Sequence, residues 1–282
     1  MQYNGVRCEV FLSLCQTDIF MKRVFAFLVL ACLSLNASAQ SYDRANDIVY
    51  RQGEPTCNLD VAYPAEKGEN LPVVVWFHGG GLTKGRKSVP KDLLTGDKIV
   101  VGVGYRLHPS VSVAQIIDDS ALAVSWVFRH IAEYGGSPQK IVLSGHSAGG
   151  YLVTMLAMDK KYLAAYDVDA NDIAAVVPYS GQMITHYTER ATKGIDPLTP
   201  VIDDLAPIAH LRADAPPMVI ITGDRELELY GRYEENAYFV RMLKLHGHKD
   251  VTLYELQGFG HSMTKPGHCI LNKFMSSVER KR

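Results

Sequence analysis

A serine flanked by glycines is the residue of this chain best suited to nucleophilic chemistry. Ser147 lies between Gly145 and Gly149. An apolar run of β-forming residues at 141–143 leads into this turn, and a helix-forming run at 151–158 follows it. A nucleophile elbow needs this strand-turn-helix context, and glycines on both sides let the chain turn sharply without collisions. The pattern predicts Ser147 as a nucleophile, whereas the motif taken alone is also compatible with an ordinary flexible turn.

A histidine near the C-terminus is the candidate base for this serine, because a hydroxyl is a weak nucleophile until a base accepts its proton. His261 directly follows the last predicted strand, at the end of the run that begins at Gln257. Folds that carry a nucleophile elbow place the serine, the acid and the histidine in that chain order. His246, His248 and His268 are interpreted as surface or core histidines.

Two carboxylates compete for the role of the acid that orients this histidine. Glu226 and Asp224 lie in the loop after the strand predicted at 217–221. A carboxylate there would fix the tautomer of the imidazole and stabilise its charged form. Both are on the expected loop, and a glutamate reaches one methylene further than an aspartate, so residue type leaves both open. The carboxylate that is not used would be a surface group paired with Arg225.

A triple glycine supplies candidate hydrogen-bond donors for a negatively charged oxygen. The run from His78 to Gly81 follows a buried strand predicted at 72–77. Without side chains, consecutive backbone N–H groups can turn toward one point. Together with the N–H of Ala148, those of Gly80 and Gly81 would form an oxyanion hole. The alternative is a loop whose glycines serve only flexibility.

Alternating strands and helices must position these groups. Apolar or alternating runs predict strands, and amphipathic or apolar runs of helix-forming residues predict helices. The strands are predicted at 47–51, 58–63, 72–77, 99–103, 141–143, 172–179, 217–221 and 251–256, and the helices at 116–134, 151–158, 229–245 and 267–281. This order indicates an α/β fold with a mostly parallel sheet of about eight strands and helices on both faces. The proline-rich segment 181–212 is predicted to be a small lid.

The composition is that of a globular protein with no strong charge bias. The 282 residues are 47% hydrophobic and 21% charged, and the formal net charge is −1 from 29 basic and 30 acidic residues. No long run of like charge is present, which argues against nucleic acid or an anionic membrane surface as a partner. One domain over 40–282 accounts for the pattern. The sequence leaves the oligomeric state open.

The N-terminus has the features of a processing segment. Over 21–39, a basic pair precedes an apolar stretch that ends in a small-x-small site, which predicts a signal peptide and therefore export to the periplasm or the medium. Residues 1–20 are interpreted as an upstream over-extension of the reading frame. The apolar stretch is shorter than the roughly 20 residues that a membrane span needs. Lipidation at Cys32 is an alternative, and export would permit a disulfide between Cys57 and Cys269.

Several motifs together resemble the α/β-hydrolase superfamily. They are His78-Gly-Gly-Gly81, Tyr105-Arg106-Leu107-x-Pro109, the run from Asp119 to Trp126, Gly145-His-Ser147-Ala-Gly-Gly150 and Gly223-x-x-Glu226. The chain is most similar to the carboxylesterase and hormone-sensitive-lipase-like branch, which includes bacterial feruloyl and acetyl-xylan esterase-like enzymes. The resemblance covers residues 47–282.

The resemblance implies a serine esterase that needs neither a metal nor a cofactor. Relatives commonly carry the acid in a Gly-x-x-Asp motif, which maps onto Glu226 and favours it over Asp224, with glutamate in place of aspartate. The implied substrate is a small or sugar-linked ester, such as an acetyl or feruloyl ester of plant polysaccharide. A serine peptidase or amidase of the same fold, and a non-catalytic binding module, are the alternative functions.

Overall fold

The computed structural model describes residues 41–66 and 68–280, and these described residues form one compact unit. The predictions for residues 1–40 lie outside the described residues; they concern the over-extension, the signal peptide and lipidation at Cys32. Within the described range, no helix combines the length and the apolar character needed to cross a bilayer.

An eight-stranded sheet runs through the described part of the chain. Its strands are β1 Tyr42–Val49, β2 Asn58–Pro64, β3 Leu71–Phe77, β4 Ile99–Val103, β5 Gly136–His146, β6 Ala175–Tyr179, β7 Met218–Gly223 and β8 Val251–Leu256. Their order across the sheet is β1-β2-β4-β3-β5-β6-β7-β8. β2 pairs antiparallel with β1 and with β4. The other five neighbouring pairs, from β4–β3 along the sheet to β7–β8, are parallel. The mostly parallel sheet that the sequence predicts is confirmed.

Helices cover both faces of this sheet. They are α1 Val113–His130, α2 Ala148–Met158, α3 Lys161–Ala164, α4 Tyr187–Thr192, α5 Arg232–Leu245 and α6 Thr264–Arg280. Side chains of α1, α2 and α5 share one core with Val75 of β3, whereas side chains of α6 share the opposite core with Trp76. Because both faces are covered, every residue of β3, β4 and β6 is buried, and these strands are continuously apolar rather than alternating.

The helix predicted at 116–134 begins three residues earlier, at Val113. Ser112 caps this helix, since its hydroxyl accepts the N–H of Gln115 at 3.3 Å and the Gln115 side chain accepts the N–H of Ser112 at 2.9 Å. Such a capping box satisfies two N–H groups near the helix start. Helix α1 ends at His130, and a 3-10 turn completes the predicted span.

Two aspartates of α1, Asp118 and Asp119, form ion pairs with arginines outside the helix. Asp119 is fully buried. Its carboxylate pairs with Arg106, with Nη2–Oδ1 at 2.6 Å and Nε–Oδ2 at 2.8 Å, and with Nε of Arg51 at 2.8 Å. Arg51 also contacts Asp118 at 2.6 Å. This cluster ties the chain after β1 and the loop after β4 to helix α1.

Replacing the buried aspartate should strongly destabilise the protein. Asp119→Ala should lower the free energy of unfolding by about 3 to 5 kcal/mol, because two partly buried arginines lose the fully buried carboxylate that they share. Glu133→Ala is the matched control, since Glu133 is 65% exposed in its pair with His130. Loss of such a surface pair costs less than about 1 kcal/mol. Urea unfolding followed by circular dichroism measures both; equal losses would contradict the role given to Asp119.

The segment 181–212, predicted as a lid, contains α4 and a 3-10 turn at Pro207–His210. It packs against the glycine loop that follows β3. The hydroxyl of Thr188 donates to the carbonyl oxygen of Gly81 at 2.5 Å, and a Cβ at Gly81 would overlap the hydroxyl of Tyr187. This part of the segment therefore holds one side of the loop in place.

The two cysteines in the described part of the chain are free thiols. Cys57 is buried and Cys269 is exposed. Burial raises the pKa of the Cys57 thiol, so this residue is a core residue rather than a reactive one. The disulfide alternative that pairs Cys57 with Cys269 is not realised.

Candidate active site

The turn at Ser147 has the strained geometry of a nucleophile elbow. Strand β5 ends one residue before Ser147 and helix α2 begins one residue after it. Ser147 has φ 56° and ψ −114°, a backbone conformation that residues other than glycine rarely adopt. A Cβ at Gly145 would lie 2.6 Å from the backbone of Gly149, and a Cβ at Gly149 would overlap the carbonyl oxygen of Phe77. Both glycines are therefore required by close backbone packing, as the sequence predicts.

Ser147, His261 and a glutamate form a continuous line of hydrogen bonds. The Nε2 atom of His261 lies 2.9 Å from the hydroxyl oxygen of Ser147, and its Nδ1 atom lies 2.9 Å from Oε2 of Glu228. The glutamate side chain is only 1% exposed, and that of His261 is 18% exposed. This geometry can pass the serine proton to the imidazole while the carboxylate stabilises the resulting positive charge.

The acid in this line is Glu228, which corrects the prediction of Glu226 with Asp224 as its alternative. The Asp224 carboxylate is occupied by two backbone N–H groups, those of Glu226 and Gly258, each at 2.9 Å. Glu226 is exposed at the surface. Neither carboxylate is hydrogen-bonded to His261 in the described structure. Arg225 also departs from the sequence interpretation, because its guanidinium pairs with Glu255 at 2.6 Å.

The backbone after β7 explains why the third carboxylate is the one that reaches the histidine. The N–H groups of Leu227 and Glu228 both donate to the carbonyl oxygen of Asp224 at 2.9 Å, which winds the chain into a helical turn. The N–H of Gly223 then donates to Oε1 of Glu228 at 3.1 Å. The turn thus folds Glu228 back onto the end of the strand. In the sequence, the only sign of this acid is a third carboxylate two residues after Glu226.

The environment of Glu228 keeps it ionised. Burial opposes the charge, but hydrogen bonds from His261 and Ser180 lower the pKa of Glu228 to about 2. The hydroxyl of Ser180 donates to Oε1, and the N–H of Leu229 donates to Oε2 at 3.1 Å. An ionised carboxylate accepts a hydrogen bond from the N–H at Nδ1 of His261, so the proton stays on Nδ1 and Nε2 is free to act on Ser147.

The glycine loop lies directly beside the serine. A Cβ built on Gly79 would be 3.3 Å from the Cβ of Ser147. Gly80 and Gly81 have φ values of +121° and +65°, and a side chain on Gly80 would overlap the carbonyl oxygen of Lys84. Two other residues shape this loop: the imidazole of His78 donates to Gly79 O at 2.7 Å, and the hydroxyl of Tyr105 donates to His78 O at 2.7 Å.

The predicted oxyanion donors remain available for a ligand. Neither Gly80 nor Gly81 donates its N–H to another residue of the described chain. The N–H of Ala148 is at the first position of α2, where helix N–H groups have no partner within the helix. The three predicted donors therefore lie in the glycine loop and at the start of α2, the two segments that flank Ser147.

Comparison with known proteins places this arrangement in a family. A sequence model of the BD-FAE family matches residues 59–229, which is more than half of the chain. The chain belongs to the BD-FAE family. The match contains Ser147, the glycine loop and the acid-bearing turn, and it ends before His261.

Individual relatives agree with this assignment. The chain is 37% identical over 130 residues to carboxylesterase NlhH of Mycobacterium tuberculosis, a match that covers 44% of this chain and 38% of the relative. It is 35% identical over 125 residues to para-nitrobenzyl esterase of Bacillus subtilis, which covers 38% of this chain and 26% of the relative. The matched region thus spans less than two fifths of each of these curated relatives.

Solved structures show the fold. A truncated carbohydrate esterase from gut microbiota aligns with a TM-score of 0.69 at 17% identity and covers 87% of this chain and 99% of its own. The native esterase 2 of Thermogutta terrifontis aligns with a TM-score of 0.65 at 22% identity and covers 86% and 94%. The predicted α/β-hydrolase fold is confirmed, and the carboxylesterase-like branch named from the motifs is confirmed with it.

The hydrogen-bond line predicts which carboxylate activates the serine. Glu228→Gln should slow covalent labelling of Ser147 by a fluorophosphonate probe by about a thousandfold or more, because the amide no longer stabilises an imidazolium on His261. Glu226→Gln is the matched control and should leave the labelling rate unchanged. Intact-protein mass spectrometry over time gives both rates. If Glu226→Gln were the slow variant, the assignment of Glu228 would be wrong.

Proposed function

We propose that this protein is an exported serine esterase that hydrolyses carboxylic esters through an acyl-enzyme intermediate. The observation that carries the proposal is the line from Ser147 through His261 to Glu228, with 2.9 Å at each step. The esterases among its relatives support the same reaction class. Export rests on the signal-peptide pattern at 21–39 in the sequence.

The first half of the reaction forms the acyl-enzyme. The Ser147 oxygen attacks the ester carbonyl carbon while Nε2 of His261 accepts its proton, and the carbonyl oxygen becomes an oxyanion. The imidazolium is stabilised by the carboxylate of Glu228. As the tetrahedral intermediate collapses, His261 gives its proton to the leaving alcohol, and the acyl group stays on Ser147.

The second half returns the enzyme to its starting state. His261 accepts a proton from a water molecule as the water oxygen attacks the acyl carbon. Collapse of this second intermediate releases the carboxylic acid, and the proton on His261 returns to the Ser147 oxygen. In both halves the N–H groups of Gly80, Gly81 and Ala148 stabilise the oxyanion, and each such donor is worth about 3 kcal/mol in the transition state.

Removing the serine oxygen tests the mechanism. Ser147→Ala should abolish the initial burst of p-nitrophenol and reduce p-nitrophenyl acetate turnover by about a millionfold. What remains is the residual catalysis that the oxyanion hole and substrate binding supply without a nucleophile. Ser276→Ala, which changes an exposed serine of α6, is the control and should retain wild-type turnover. Stopped-flow absorbance records both phases. Equal turnover by wild type and Ser147→Ala would contradict the proposal.

The surface around the site supports an ester attached to a sugar or an aromatic group. The two loops that carry Glu228 and His261 expose apolar side chains: Leu227 is 54% exposed, Tyr230 59% and Phe259 48%. The loops touch, since a Cβ at Gly260 would lie 3.7 Å from that of Leu227. Exposed apolar groups beside a polar site are typical of ligand-binding surfaces. A carbohydrate esterase among the structures of the same fold is in keeping with this choice.

The substrate class is therefore proposed to be acetyl or feruloyl esters of plant polysaccharide. In a panel at equal concentration, acetylated and feruloylated xylo-oligosaccharides should show higher kcat/KM than p-nitrophenyl palmitate or a chromogenic peptide amide. Liquid chromatography of the released acid or amine measures each rate under the same conditions. Faster release from the amide would instead favour a peptidase or amidase, and faster release of palmitate would favour a lipase.

A further inference from the structure

A second histidine lies against the proposed catalytic histidine. The Nε2 atom of His146 is 2.7 Å from the backbone carbonyl oxygen of His261, and the centroids of the two rings are 4.7 Å apart. His146 directly precedes Ser147 in the chain. We propose that His146 is a positioning residue. It holds the histidine loop, residues 257–263, in place relative to Ser147. The proposal rests on the esterase function proposed above.

The chemistry of the contact fixes the state of His146. A carbonyl oxygen can only accept a hydrogen bond, so the Nε2 atom must carry the proton. Burial, together with the nearby His261, lowers the pKa of His146 to about 4. At neutral pH the ring is therefore neutral, with Nε2 protonated and Nδ1 free. A neutral donor holds the loop without repelling the imidazolium that forms on His261 during the reaction.

The position of His146 makes this anchor rigid. It is the last residue of β5 and is paired with Tyr179 of β6. Upstream of His261, the histidine loop is also tied to the residue that directly follows β7, since Asp224 N donates to Phe259 O at 2.7 Å. Within the described structure, the bond from His146 is the one that fixes the backbone carbonyl of His261 itself. One strand end thus carries the nucleophile and also sets the place of its base.

Two hydrogen bonds leave the imidazole ring of His261 little freedom to move. Nε2 and Nδ1 of His261 each make a hydrogen bond of 2.9 Å, on opposite sides of the ring. A shift of the loop that moves the imidazole cannot preserve both distances. A misplacement of about 1 Å costs on the order of a hundredfold in rate when it affects reacting groups. The loss of the His146 donor should therefore appear in the chemical step rather than in substrate binding.

Two variants of equal length separate the hydrogen bond from packing. His146→Met fills similar space without a donor, and we expect its kcat for p-nitrophenyl acetate to fall about tenfold to a hundredfold with KM unchanged. His146→Gln keeps an N–H donor and should recover most of the wild-type kcat. Fluorophosphonate labelling of Ser147 should follow the same order, and melting temperatures show whether each variant is folded. A wild-type kcat for Met, or a Gln variant as slow as Met, would overturn the proposal.

A measurement on the wild type does not depend on any variant folding or on turnover. Nitrogen-15 NMR of histidine-labelled protein at pH 7 should show His146 as the neutral tautomer with its proton on Nε2. A proton on Nδ1 alone would overturn the proposed bond. By contrast, a wild type that shows this tautomer but neither ester turnover nor labelling would contradict the esterase function and leave the hydrogen bond standing.

Discussion

The close packing of β5 and α2 against the end of β3 is the constraint on which the site depends. At Gly149 there is no room for a side chain, because the carbonyl oxygen of Phe77 occupies the space that a Cβ would take. Since Phe77 is the last residue of β3, the loop that follows it must leave the sheet directly beside the elbow. The same contact thus sets the sharp turn at Ser147 and places the glycine loop next to it. The positions of the proposed nucleophile and of the proposed oxyanion donors therefore both depend on the contact between Gly149 and Phe77.

The elements around this contact mainly hold loops in place. Tyr105, which follows β4, donates to the carbonyl oxygen of His78 and stacks on its ring, with centroids 4.3 Å apart. The next residue, Arg106, is fixed by the buried carboxylate of Asp119 in α1. Tyr105 therefore supports the glycine loop directly, and the ion pair of Arg106 fixes the chain that carries Tyr105. Their chemistry is structural, although they are part of the pattern by which the superfamily is recognised.

The acid is held by a second layer of buried polar groups. Ser180 donates to Glu228, and the carbonyl oxygen of Ser180 accepts a hydrogen bond from the guanidinium of Arg232. Arg232 is only 1% exposed, so its positive charge lies in a region of low dielectric, where it favours the ionised form of Glu228. The negative charge of Glu228 is thus favoured mainly by the hydrogen bonds from His261 and Ser180, and the charge of Arg232 acts in the same direction. A buried carboxylate without these groups would gain a proton and could no longer stabilise an imidazolium.

The sequence by itself determined the fold class and the order of strands and helices, and it predicted Ser147, His261 and the glycine loop, which the structure brings together. Each of these depends on local pattern or on chain order: Ser147 on a strand-turn-helix run, and His261 on its place after β8. The tertiary structure alone decided which carboxylate contacts His261. Three carboxylates lie within five residues after Gly223, and the helical turn closed on the carbonyl oxygen of Asp224 selects the third. Residue type does not encode the direction in which the Glu228 side chain points. That direction arises from hydrogen bonds between the turn, the end of β7 and the histidine loop.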